Sequence, residues 1–481
     1  MTSHRLALVW LRRDLRLADN PALAYALANA GQILPVFIHS PQDEGTWAPG
    51  AASNWWLHHS LTALESQLLD RGSRMIVRRG AALSVLPQLV RESGATLVTW
   101  NRLYEPAIVA RDAAIKTRLA QNDIDVESHN AALLFEPWTI RNGQQLPYRV
   151  FTPFWRSALT QIDRLPAPQP APRRLATTSN KLDSLTIADL ALLPDIHWDE
   201  GIAQHWEPGE AGAHRQLERF AKAASDYAHA RDRPDLTGTS SLSPHLHFGE
   251  IGPRQIFARL HLQAASSNSL ATYAKELGWR EFAHHLLFHF PHTTDKPLDT
   301  RFEHWQWGRS KSLLRAWQRG MTGYPLVDAG MRELWHRGWM HNRVRMIAAS
   351  FLTKNLQIHW LQGARWFWDT LVDADLASNT LGWQWTAGCG ADAAPYYRIF
   401  NPVLQAEKFD PQRAYIRQWL PELATLPDKW IHRPWEAPDD LLSRAGIVLG
   451  KTYPRPVIDL RQSRDDALTA YQVMKQSSDS P

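Results

Sequence analysis

Cysteine is almost missing from this chain: Cys389 is the single one among 481 residues. That excludes an intramolecular disulfide, and with it any zinc or iron–sulfur centre built from several thiolates. A metal would have to come from the 21 histidines. The adjacent pairs His58–His59 and His284–His285 lack the i, i+4 spacing that sets two imidazoles on one helix face, so no metal is expected. Long apolar runs are missing too. Nothing approaches the ~20 residues of a membrane span, and MTSHR passes straight into LALVWL, too short for the apolar part of a signal peptide. A cytoplasmic protein without a membrane partner is the expectation. There is no internal repeat, no long low-complexity extension, and no GxGxxG after the first apolar run, so the usual dinucleotide fingerprint is absent.

What is present describes a globular chain long enough for two or three domains. Hydrophobic residues make up 44% and charged ones 21%, with a formal charge of +5 that suits an anionic partner. Tryptophan stands out, at 23 residues. So many indoles either fill cores or stack on planar ligands and bases, where a nearby excited acceptor can oxidise them.

LALVWL at Leu6 to Leu11 reads as a buried parallel strand, and PALAYALANAG as a helix ending at Gly31. ILPVFIH, MIVRRG, TLVTWN and DVESHNAALLF continue as strands, separated by helical patterns around WWLHHSLTALESQLLDRG, ALSVLPQLVRESG and AIVARDAAIKTRLAQND. This alternation predicts an α/β domain at 1–132, a doubly wound, Rossmann-like parallel sheet with right-handed crossovers. LPAPQPAPRR and the Ser/Thr-rich stretch after it mark a linker, set at 133–200. An all-α domain is expected over 201–475, then a polar tail at 476–481.

Three segments carry mixed polar and aromatic chemistry. GTSSLSPHLHF puts hydroxyls at Thr239, Ser240, Ser241 and Ser243 just before Pro244, so it reads as a phosphate-binding helix start or as a plain N-cap. ELGWREF places Glu276, Trp279 and Arg280 on one helix face, either a site for a base and a phosphate or a salt-bridged surface. From Gly338 to Trp385, Asn342, Arg345 and Met346 share a helix face, as do Asp375 and Asn379. A helix made only to fill a core would not carry these groups.

Taken together with LVWLRRDLRLADNPAL, TGYPLVDAGMREL, GWMHNRVRM, DADLASN, GWQW and DAAPYYRIFNPVLQAEKFDP, these segments resemble the DNA photolyase and cryptochrome family over nearly the whole chain. The resemblance implies a helical domain that binds FAD, active in its reduced form. Tyr227, Thr239, Ser240, Ser241, Leu242 and Ser243 would line its ribose and phosphates. Arg345 and Asp373 would pair beside the flavin, Asp375 would partner the isoalloxazine edge, Asn379 would face N5, and Ala374 would be a further cofactor-binding residue. A neutral amide there is what repair enzymes carry, whereas plant cryptochromes usually place Asp and animal ones Cys.

The resemblance further implies a DNA partner containing cyclobutane pyrimidine dimers, with the protein acting as a monomer. Trp279 and Trp385 would clasp a flipped-out dimer, and Glu276, Asn342 and Met346 would contact its bases. Arg231, Arg280, Arg343, Arg398 and Gln405 would lie near the DNA backbone. The (6-4)-lesion branch uses a pair of histidines where this chain has Asn342 and Met346. Trp383, Trp360 and Trp307 would form the indole chain that delivers an electron to photoexcited flavin. Photolyases often hold an antenna in the first domain. PQDEGTWAPGAASNWWLHHSL is similar to class III photolyases and plant cryptochromes, while Ala107 and Ile108 depart from the Asn-Glu pair of folate-binding class I enzymes. A methenyltetrahydrofolate in the class III-like groove is the first choice, with Glu44 or Trp55 lining it, and a deazaflavin the second. The expected activity is light-dependent dimer repair; the alternative is a blue-light photoreceptor that binds FAD without repairing.

Overall fold

The computed structural model describes residues 4–177, 182–262, 267–393 and 397–478, with the side chains of 477 and 478 left out. Five strands form one fully parallel sheet in the order β3-β2-β1-β4-β5: β1 His4–Leu11, β2 Ala30–His39, β3 Ile76–Arg79, β4 Leu97–Asn101 and β5 Asp125–His129. Helices α1 Pro21–Asn29, α2 Ala51–Leu69, α3 Ala82–Ser93 and α4 Pro106–Ala120 connect them. β1 is central, and from Leu6 onward every residue is buried, which is why it reads as a continuous apolar run. Trp10 lies opposite Trp100 in the β1–β4 register, with the rings edge to face at 5.5 Å.

Order reverses between β1 and β4, the place where open α/β sheets usually bind a ligand. Here that crevice is filled by the chain itself. Arg12 Nη1 donates to Asp112 Oδ2 at 2.5 Å and Nη2 to the Asn101 carbonyl. Asn101 Nδ2 donates to Asp14 Oδ2 at 2.6 Å and to Asn20 Oδ1 at 2.7 Å, and Asn20 Oδ1 also caps α1 by accepting from the Leu23 N–H. Arg13 meets Glu105 at 2.5 Å.

Two strand readings are corrected. α1 stops at Asn29 because Ala30 is already extended and pairs with His4, so Gly31 belongs to β2. β5 stops at His129: the following backbone is satisfied by side chains instead of a ladder. Arg16 donates to the Ala131 carbonyl and Arg280 to that of Ala132, while Glu281 accepts from the N–H groups of Leu134 and Phe135.

The stretch read as a linker carries α5 Phe151–Leu159, whose Phe151, Phe154, Trp155 and Ala158 are buried at helical spacing. Farther on, the chain bonds along the sheet, Leu185 N–H to the Val77 carbonyl and Ile33 N–H to that of Ala176. Beyond it the elements are helical, and a helix at Leu460–Ser478 runs into the segment read as a tail. By compactness the chain forms two units, Met1–Ser225 with Ser240–Pro291 and Val372–Ala377, and Asp226–Thr239 with His292–Leu371 and Ser378–Pro481.

Asp112 also pairs with Arg111, at 2.9 Å. Replacing it by Ala leaves Arg12 buried without its carboxylate, and stability should fall by about 3–5 kcal/mol. Urea denaturation checks this, and a loss below about 1 kcal/mol would show that the Asn101 carbonyl suffices.

Candidate functional site

In the first unit the hydroxyl-rich segment ends in α6 Ser243–His247, a single short turn. The plain N-cap does not form: the capping position is Leu242, fully buried, and no side chain caps the helix. Instead Ser243 Oγ donates to Asp373 Oδ2 at 2.6 Å, Ser240 Oγ accepts from the Leu242 N–H, and Ser241 takes a positive φ of 51°. Asp373 and Ala374 are buried. Asp375 lies just before α11 Leu376–Ala387 and not within it, so it and Asn379 do not share a helix face as the spacing implied. The Asp375 carboxylate faces His284 and His247. Burial alone would raise its pKa, but the two histidines and Arg280 hold it well below the usual carboxylate range.

Glu276, Trp279 and Arg280 do lie on one helix, α7 Asn268–His289, and all three are half-buried. Trp279 stacks on Phe151 at 3.8 Å and 9°, and Phe151 stacks in turn near Trp155 at 6.4 Å and 9°. The indole is thus the outer plate of an aromatic stack. Gly278 permits it, since a Cβ there would stand 2.5 Å from the Trp155 ring. Arg280 commits Nη1 to the Ala132 carbonyl at 2.6 Å.

The second unit carries the remaining residues. Tyr227 is buried, with Arg231 over its ring at 5.7 Å, and Thr239 is half-buried. Asn342 is the exposed first residue of α9 Asn342–Ser350; α8 is Pro325–Arg337. The preceding His341 accepts from the Arg343 N–H, and burial lowers its pKa to about 4, keeping the ring neutral for that role. Met346 is half-buried, its sulfur 3.9 Å from Arg343. Arg343 Nη2 donates to Asp232 at 2.9 Å, and Arg231 Nε lies 3.9 Å from the same carboxylate. Arg345 Nε donates to the Met340 carbonyl at 2.7 Å. Asn379 Nδ2 donates to the Ala364 carbonyl at 3.1 Å. A carbonyl can only accept, which fixes the amide orientation and turns the Asn379 oxygen elsewhere.

Trp385 donates from Nε1 to the Asp392 carbonyl at 3.0 Å and borders a cavity of about 30 Å³ with Lys354, Tyr397 and Arg398. Lys354, 1% exposed, donates to the Ala387 carbonyl at 2.8 Å, and burial drives its amine well below the usual lysine range. One turn away Gln384 donates to the carbonyls of Thr293 and Lys296. α11, which carries Trp383 and Trp385, is therefore held on two sides. Gln405 is half-buried on α12; with α10 as Trp360–Thr370, α12 is Pro402–Phe409. Of the DAAPYYRIF segment, Ala394, Pro395 and Tyr396 lie outside the described residues.

Trp383 and Trp360 are buried and Trp307 is half-buried. Trp383 packs on Gly363 of α10, where a Cβ would come within 2.0 Å of its ring, one turn from Trp360. His359 stands 5.6 Å from Trp360 and 5.0 Å from Trp307, ring to ring, and burial lowers its pKa to about 4.

Residues 7–173 match the family profile "DNA photolyase", and residues 273–473 match "FAD binding domain of DNA photolyase". The chain belongs to the DNA photolyase and cryptochrome family. The deoxyribodipyrimidine photo-lyase of Agrobacterium fabrum is 46% identical over 475 residues, 98% of each chain. Cryptochrome-1 of Arabidopsis thaliana is 38% identical over 95% of this chain and 69% of its own. The crystal structure of a bacterial class III photolyase from Agrobacterium tumefaciens superposes with a TM-score of 0.93 at 45% identity, covering 99% of this chain and 98% of that one.

Phe151, Asp232, His341 and His359 touch the candidate site residues, Trp155 backs Phe151, and all five were missed in the sequence. Only Phe151 and Trp155 left a trace, as apolar positions at helical spacing inside an apparent linker. In a double-mutant cycle of Phe151→Ala and Trp279→Ala, unfolding should report a coupling of about 0.5–1.5 kcal/mol. Additive losses would show that the stack holds nothing.

Proposed function

We propose that this chain repairs cyclobutane pyrimidine dimers in DNA by light, as a deoxyribodipyrimidine photo-lyase with FAD as cofactor. The observation that carries the reading is Trp279, held face-on by Phe151 with Glu276 and Arg280 on the same helix. An indole fixed as an outer plate offers a ready face to an extruded base, at no further ordering cost. Trp385, pinned through Nε1, is the second indole for the dimer, with Asn342 and Met346 contacting bases and Arg231, Arg343, Arg398 and Gln405 the strand. A dimer pairs and stacks poorly, so its extrusion costs less than that of an intact step.

The residues present fit a flavin. Asn379 has its amide nitrogen fixed on a carbonyl, leaving an acceptor oxygen for an N–H. Asp373 is partnered by Ser243, and Asp375 by two imidazoles. FAD, when bound in its reduced form, supplies the excited electron that splits the dimer and then takes it back. Tyr227, Thr239, Ser240, Ser241 and Leu242 hold its ribose and phosphates, Arg345 and Asp373 flank the ring, and Ala374 borders its edge. Trp383, Trp360 and Trp307 relay the electron that reduces oxidised FAD, with His359 between the last two.

An antenna in the first unit has to avoid the filled crevice between β1 and β4. A folate in a separate groove is the first choice and a deazaflavin the second. Trp55 does not line such a groove: it is 2% exposed and packed on His59 and Trp56. Glu44 stays half-exposed, its carboxyl raised by burial and pulled back by Arg13.

Irradiating the reduced protein with dimer-containing oligonucleotides should restore thymine absorbance. Flavin photochemistry without restoration would mean a photoreceptor. Trp383→Phe should suppress photoreduction of oxidised FAD by more than tenfold yet leave repair by chemically reduced protein; normal photoreduction would point to another indole route.

A further inference from the structure

Asp375 sits in Val372–Ala377, which packs with the N-terminal unit. Its Oδ2 lies 3.4 Å from His284 Nε2 and 3.8 Å from His247 Nδ1. Both histidines are buried, His284 at 4% exposure. The two rings are not equivalent. His247 is the farther of the two at 3.8 Å, and burial outweighs its hydrogen bond to Asp375 in lowering its pKa.

His284 is constrained at both nitrogens. Nδ1 stands 3.0 Å from the backbone oxygen of Arg280, one turn earlier on α7. A carbonyl oxygen only accepts, so Nδ1 carries a hydrogen. Nε2 faces a carboxylate oxygen, which while ionised also only accepts. A neutral imidazole with hydrogen on Nδ1 would set its bare Nε2 lone pair against that anion. With both nitrogens protonated, both contacts become donations and the buried carboxylate gains a counter-charge.

The other charged and titratable groups around the pair are accounted for. Arg280 commits Nη1 to the Ala132 carbonyl. Arg13 and Glu105 pair with each other, and both act electrostatically on Asp375. Tyr104 stands edge-on to His284 at 6.3 Å and donates its hydroxyl hydrogen to Glu136.

We infer that His284 is a fixed imidazolium that keeps Asp375 ionised and oriented, making it the positioning residue for the carboxylate at the flavin edge. This rests on the assignment of Asp375 to FAD made above. The pairing itself is a property of the protein alone.

Two measurements test it. Neutron diffraction from the deuterated full chain with FAD bound should show deuterons on both His284 nitrogens; a bare Nε2 overturns the inference. This arm needs no variant, so a substitution that misfolds does not weaken it. The second arm is the FAD reduction midpoint, read by spectroelectrochemistry. His284→Gln should lower it, because the Asp375 charge loses its counterion beside a ring that gains electrons, and His284→Arg should restore it. In an Asp375→Asn background His284→Gln should shift nothing further, and an equal shift in both backgrounds overturns the coupling. Repair by chemically reduced wild-type protein is scored separately, so failure of the ion pair and failure of the repair assignment leave different signatures.

Discussion

Two guanidinium groups side by side at the end of β1 set the terms for the first unit. Arg12 and Arg13 are both buried or nearly so. Removing such charges from water costs several kcal/mol each, and only a complete set of partners offsets that. Asp112 and Glu105 come from α4 and its approach and the Asn101 carbonyl from β4, while Asp14, in the turn after β1, accepts from the Arg12 backbone N–H. A doubly wound sheet usually leaves this place open for a ligand. Here the fold has filled it with its own ions and moved its chemistry to the helical elements. Arg13 and Glu105 also act electrostatically on Asp375, a carboxylate far away in sequence.

The indoles proposed to act on the ligand and on the electron path share one design: each is fixed by something that is not itself functional. Trp279 rests on Phe151, Trp383 on the bare face of Gly363, and Trp385 hangs from the Asp392 carbonyl. Lys354 and Gln384 secure the helix bearing the last two by bonding to backbone carbonyls. Side chains with two rotatable bonds, so immobilised, lose little more entropy when a ligand arrives.

What was legible in the sequence follows the range of the interactions. β1, β2 and β4 were visible because parallel strands buried on both faces read as apolar runs, whereas β5, DVESH, is largely unburied and polar. The end of β5 was not visible, because LLF is apolar in either conformation and Glu281, remote in sequence, satisfies its backbone. Phe151–Leu159 was hidden by the proline-rich stretch after it, although its apolar spacing was there to be read. Asp375 and Asn379 obeyed helical arithmetic, yet the helix starts between them. The hydroxyl-rich segment promised a capped helix. The structure instead turns Ser243 to Asp373, a partner no local pattern announces.

The charge pattern around the proposed flavin residues argues for an electron-rich ligand. A bare carboxylate beside such a ligand would oppose each added electron. Among the described residues, both acidic groups assigned there are partnered: Asp373 accepts the Ser243 hydroxyl hydrogen, and Asp375 faces His284 with Arg280 nearby. Asn379, assigned to face N5, is neutral, and its amide nitrogen is tied to a backbone carbonyl. A signalling flavoprotein that takes up a proton on illumination benefits from an acid at that position. An amide cannot supply one. The arrangement suits a flavin that must stay reduced and lend its electron briefly, because nothing assigned to its surroundings pushes the electron out or traps it with a proton.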